Sequence, residues 1–166
     1  MGWASEMLRS LPAAMVAVAL LLPGSAWAGT LVLVVPAGSA MVDVSTVDLR
    51  RAFLGNRVKS PDGTKLRPLN LPEGHPARVA FDQAVLGMNE DEVGRYWVLQ
   101  KIRAAGEPPL SQTSEAKLVE LVTNLPGAIT YVHPDAVTEG VKVITVDGKA
   151  ADAADYPLRF DDPPAP

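Results

Sequence analysis

The run Thr30-Leu31-Val32-Leu33-Val34-Val35 constrains the fold more than any other segment. It is short, continuously apolar and rich in β-branched residues, so it reads as a strand with no face turned to water. A strand buried on both faces needs a layer of structure on each side of its sheet. Pro36-Ala37-Gly38-Ser39 ends the run with turn-forming residues.

The rest of the chain can supply those layers. Ser45-Thr46-Val47-Asp48 carries the Ser-x-x-acid pattern of a helix start, with Leu49, Ala52 and Phe53 on one face and Gly55 at the stop. Ser60-Pro61-Asp62-Gly63 is a turn. Leu66 to Leu71 contains Pro68 and reads as a short or edge strand. Pro76 suits the first position of a helix whose apolar stripe is Ala77, Ala80, Phe81 and Ala84. Asn89 caps the next helix, with Glu90, Asp91 and Glu92 in its first turn and Val93, Tyr96 and Trp97 facing inward. Thr113 or Ser114 starts another, carrying Leu118, Leu121, Val122 and Leu125. Residues 128–132 and 141–146 are strands. Strands and helices alternate around a central group of helices, which predicts a three-layer α/β/α fold.

Residues 1–28 read as a secretion leader. Arg9 precedes an apolar stretch over 11–22, Pro23-Gly24-Ser25 breaks it, and Ala26-Trp27-Ala28 offers small residues for cleavage before Gly29. The stretch is shorter than the ~20 residues of a spanning helix, so the expected product is an exported, periplasmic chain free in solution. One Arg and one Glu lie in the leader, so removing it leaves the net charge at −4. That balance gives no electrostatic footprint for nucleic acid. With no cysteine in the chain, disulfides, thiol catalysis and thiolate metal sites are excluded. Residues 29–147 are expected to form one domain, and 148–166 a Pro- and Asp-rich tail frayed at its end.

Several fragments, taken in order, resemble one family. They are Val47 to Gly55, Pro61-Asp62-Gly63, Phe81 to Gly87, Tyr96-Trp97, Gly106-Glu107-Pro108-Pro109 and Leu125 to Val132. Together they are similar to small substrate-binding-like proteins of phosphate ABC transporters, in the type 2 periplasmic binding protein superfamily. The resemblance spans roughly residues 30–146. It implies a single lobe of a receptor that otherwise closes two lobes on its ligand. It also implies a small phosphate-like anion as ligand and a membrane transporter as partner. The family's Ser-Gly-Thr turn would fall near Glu73-Gly74-His75-Pro76-Ala77-Arg78. There only Gly74 remains and Pro76 removes an amide, while Thr130 replaces a Gly in the late strand. The fold therefore carries over better than the phosphate site.

Five residues are candidates for ligand contact. Arg78, in the first turn after Pro76, offers bidentate donors beside a helix N-terminus, and its plainer reading is a surface Arg pairing with Glu73 or Asp82. His75 and Gly74 would touch the same ligand, and His75 could equally cap the helix. Gly38 and Ser39 follow the first buried strand, where an open α/β sheet binds ligands beyond strand carboxyl ends, although they are also ordinary turn formers. Trp97 reads as core. Arg50, Arg51, Arg57 and Lys59 read as a solvated basic face.

No metal site or cofactor is expected, since His75 and His133 lack companion ligands at metal spacing. Catalysis is not expected either. There is no Gly-x-Ser-x-Gly elbow, and Ser39, His75 and Asp82 make a triad only on paper. The leading reading is a solute-binding-like module for a small anion. The alternative is a ligand-free envelope scaffold or sensor partner, and either form is compatible with an oligomer.

Overall fold

A computed structural model describes residues 29–160. The leader expected at 1–28 and the last six residues, 161–166, lie outside the described residues.

The central sheet has six strands in the order β3-β7-β2-β6-β4-β5. In chain order these are β2 (Val32–Pro36), β3 (Asp43–Val44), β4 (Arg67–Asn70), β5 (Leu110–Ser111), β6 (Ala128–Val132) and β7 (Val141–Val146). β1 (Gly29–Thr30) pairs apart from it with β8 (Arg159–Phe160). β3 runs parallel to β7, and β4 parallel to both β5 and β6. β2 alone is reversed, lying antiparallel between β6 and β7. As expected, its apolar run is buried, with Val32, Leu33, Val34 and Val35 all at or below 3% exposure.

Helices flank this sheet on both faces. β6 buries every one of its residues, so alternate side chains need cover on each side. Tyr131 points into one face, stacking on Phe81 at 4.0 Å between ring centroids, with Phe53 4.7 Å from Phe81. Those two rings belong to α2 (Pro76–Phe81) and α1 (Thr46–Phe53). α4 (Glu115–Asn124) packs Leu118, Val119 and Val122 against β2 and β6. The caps follow the sequence: Ser45 Oγ accepts from Asp48 N at 3.0 Å and Ser114 Oγ from Lys117 N at 3.3 Å. At the turn into β6, Gly127 has φ +80°, and a Cβ there would lie 2.2 Å from Lys65 O. Only glycine fits so close a backbone.

β4 is the short strand expected, and it lies inside the sheet because β5 pairs beyond it. Pro68 is tolerated since β5 reaches only Leu69 and Asn70. Three expectations need correction. Ala84 is exposed, because α2 continues as a π-helical turn over Asp82–Leu86. The wider turn brings Val85 and Leu86 inward in its place. α3 (Glu90–Ile102) buries only Val93, while Tyr96 and Trp97 are half-buried at the margin of the core. Finally, packing does not stop at residue 147. Tyr156 and Leu158 are 3% and 0% exposed, and Leu31 N donates to Leu158 O at 3.0 Å. The packed body therefore runs through Phe160, and what looked like a polar tail carries two core side chains.

Candidate anion site

The strand directions decide which loops share an edge of the sheet. β3, β4, β5, β6 and β7 all end on one side, and the reversed β2 ends on the other. Leu71 to Arg78 follows β4 and lies on the carboxyl edge of the parallel strands. Gly38 and Ser39 follow β2 and lie at the opposite edge. They sit beside Gly127, where they border a shallow recess of about 260 Å³ with Asp62, Thr64 and Asn124. Beyond-the-strand reasoning failed for them because it assumed that β2 ran with its neighbours. Their contacts are those of a turn: Ser39 N donates to Pro36 O at 2.9 Å, and Ser39 Oγ accepts from Met41 N at 3.2 Å. The paper triad falls for the same reason, since Ser39 and His75 are on different edges.

At the carboxyl edge, Gly74, His75 and Arg78 do come together. Gly74 takes φ +76°, a left-handed turn suited to glycine. Its amide is already engaged, donating to Glu90 Oε1 at 2.6 Å. His75 is the N-cap of α2, its Nδ1 accepting from Ala77 N at 3.2 Å. Pro76 has no amide to offer. The Gly74 and Ala77 amides are thus satisfied by side chains of the chain itself, one of them a carboxylate.

Arg78 is different. It is not a surface residue, being only 7% exposed. Nη1 donates to Leu71 O at 3.0 Å, and Nε donates to Asp82 Oδ2 at 3.4 Å. Asp82 is 2% exposed, and its Oδ1 is buried without a partner. Burial pushes the Asp82 carboxyl up to about 6, with Arg78 pulling the other way. The ion pair thus leaves guanidinium donors and one carboxylate oxygen uncommitted. Beneath it, the Tyr131 hydroxyl donates to Asn70 Oδ1, and burial holds that phenol above its usual range. Thr130 Oγ1 donates to Leu69 O at 2.9 Å, so the residue in the glycine position ties β6 to β4.

Two adjoining grooves meet at Arg78. One, about 700 Å³, is lined by Arg78, Asp82, Glu73, Asp91, Arg95 and Val98, among others. The second, about 910 Å³, runs from Arg78 past Pro72, Trp97 and Lys101 to Pro108, Pro109 and Leu110. Among the described residues no group of three or more His, Cys, Asp or Glu side chains is placed to hold a metal. His133 lies at the same carboxyl edge, its Nδ1 2.6 Å from Glu115 Oε1.

Asp82 was visible in the sequence as an i+4 partner for Arg78. Its depth was not, because the π-turn that carries it inward leaves no periodic signal. Glu90 read as helix-dipole chemistry, and nothing in the sequence pointed it back at Gly74.

A mostly parallel sheet, flanked by helices and grooved at its carboxyl edge, resembles part of a periplasmic-binding-protein-like fold. Solved structures place it more closely. The chain is similar to an ABC-type phosphate transport receptor from Vibrio cholerae, with TM-score 0.60 and 16% identity over 74% of this chain and 48% of that one. It is also similar to PstS from Borrelia burgdorferi, with TM-score 0.54 and 12% identity over 73% and 48% of the two chains. The chain therefore spans about half the length of these receptors and shares their fold over that half. No family model matches the sequence, and no curated protein matches it either.

Proposed function

We propose that this chain is an exported solute-binding-type module of the cell envelope that takes a small phosphate-like anion at Arg78, for or alongside an ABC transporter. One observation carries the reading: a buried guanidinium, fixed by Leu71 O and Asp82, lies where two grooves meet on the carboxyl edge of the sheet. Guanidinium donors in that setting suit a tetrahedral or planar oxyanion. The likeness to phosphate receptors supports the same class of ligand. No helix among the described residues is long and apolar enough to cross a membrane.

Electrostatics narrow the ligand further. Glu73, Glu90 and Asp91 outnumber Arg95 around the groove, so a second negative charge on the ligand is opposed. A monoanion such as dihydrogen phosphate meets that condition. Binding should then tighten as pH falls from 8 toward 6, and the hydrogen phosphate dianion should bind less well.

The test is thermal unfolding and titration calorimetry against phosphate, sulfate, acetate and chloride at fixed ionic strength. A ligand at ~100 times its dissociation constant stabilises by about 2.7 kcal/mol. A phosphate response that Arg78→Ala removes is the expected result. A flat panel at every pH, or a response indifferent to Arg78, overturns the reading. Intact mass of the exported protein checks the leader, with Gly29 expected as the first residue.

A further inference from the structure

α3 is held firmly and covered poorly. Asn89 and Glu92 close a capping box at its start, with Asn89 Oδ1 accepting from Glu92 N at 3.0 Å and Glu92 Oε2 from Asn89 N at 2.8 Å. Tyr96 Oη donates to Leu54 O at 2.8 Å, and Trp97 lies against Gly55. Yet Val98 is 60%, Leu99 49% and Ile102 75% exposed. Asp91, Arg95, Val98 and Ile102 fall on one stripe at helical spacing, on the side away from buried Val93. Gly94 flanks that stripe, and a Cβ there would meet nothing within 4 Å.

The helix is also polarised. Glu90, Asp91 and Glu92 occupy its first turn, Lys101 its last, and Arg103 its C-cap. Such a surface is complementary to itself when reversed. Laid antiparallel, the acidic turn of one helix meets the basic turn of the other, twice, while a parallel pair sets like against like.

We propose that this stripe docks against α3 of a second copy of the chain, antiparallel about a two-fold axis. The pairing is isologous, so each contact occurs twice. Val98, Leu99 and Ile102 of the two copies bury one another, and the open flank at Gly94 lets the helices approach. Because Arg95, Val98 and Leu99 also line the Arg78 groove, the second copy partly roofs it. The pairing does not rest on the anion reading. Association is measured without ligand, so either can fail alone.

The experiment is sedimentation equilibrium of protein expressed from its full sequence, with the host left to process its N-terminus, over a wide concentration range in phosphate-free buffer. A concentration-dependent dimer is expected. Val98→Asp and Ile102→Asp, both on exposed positions, should each give monomer with an unchanged circular dichroism spectrum. Asp91→Lys and Lys101→Glu should each weaken association about threefold, and the double exchange should restore it. Persistent monomer at the highest concentration overturns the proposal, as does a dimer indifferent to both Asp substitutions. Failure of the double exchange to rescue overturns the antiparallel arrangement. Monomer that instead binds phosphatidylglycerol vesicles through Ile102 would assign the stripe to lipid and overturn pairing.

Discussion

β6 and α3 show two ways a segment of this chain holds its shape. β6 buries all of its residues between helical layers, and its Tyr131 stacks on Phe81. α3 buries one residue, Val93, and depends on its caps and first-turn acids. The first is specified by what packs on it and the second by local chemistry. A substitution should therefore be expensive in the first region and cheap in the second, unless it touches a cap or an interface.

The sharpest way to break this contrast is Phe81→Ala. Phe81 is fully buried and lies between Phe53 and Tyr131. Truncating a core aromatic removes its transfer energy and leaves a cavity, at about 3–5 kcal/mol. Urea unfolding should show that loss in the midpoint with little change in slope. A loss below about 1 kcal/mol would mean that the ring stack is not a centre of packing.

The second effect sits where packing and charge meet. Asp82 is buried with its carboxyl pushed up to about 6 from 3.8. A raised acid favours the folded state most when protonated. Its contribution is full below pH 3.8 and is lost as pH rises through about 6. Two units correspond to about 3 kcal/mol at most. Exposed carboxylates such as Asp147, held down by hydrogen bonds from Thr46, pull in the opposite direction. The difference between the native protein and Asp82→Asn isolates the buried group. Between pH 4 and 6.5 the native protein should lose stability relative to Asp82→Asn. Parallel curves would show that Asp82 is as hydrated as a surface carboxylate.

The same contrast separates what was legible in the sequence from what was not. Ser45, Asn89 and Ser114 declared their helices because a cap acts on amides two or three residues away. The run ending at Val35 declared a doubly buried strand, since composition alone shows that it has no wet face. Legibility ended where the decisive fact was non-local. The reversed direction of β2 is set by its partners, and it alone separates Gly38 and Ser39 from Arg78. The π-turn at Asp82–Leu86 exchanges Ala84 for Val85, which a 3.6-residue period cannot foresee. Glu90 reaches back sixteen positions to Gly74, and Tyr156 and Leu158 return to the core from a stretch of polar sequence. Of the candidate site, the position of Arg78 was legible and its burial against Asp82 was not.

Third in size is Asn89→Ala, which removes the cap of α3 without touching the core. Caps of this kind contribute about 1 kcal/mol. Hydrogen exchange should register the change mostly in the first turns of α3, while β6 amides keep their protection. Equal loosening of β6 would show that α3 and the sheet open as one unit, and the contrast drawn above would fail.

The smallest effect is the most discriminating. In dilute monomer, Ile102→Ala should change stability by less than about 0.5 kcal/mol, the ordinary range for exposed positions away from special features. Ile102 is 75% exposed, so its side chain has little contact to lose. If pairing through α3 is real, the same substitution should lower stability measurably once the protein is concentrated enough to associate, because whatever binds only the folded chain stabilises it by mass action. Denaturant midpoints for native protein and Ile102→Ala should therefore coincide when dilute and diverge when concentrated. A gap already present in dilute solution would place Ile102 in the monomer's own packing, and α3 would then resemble β6 more than its burial implies.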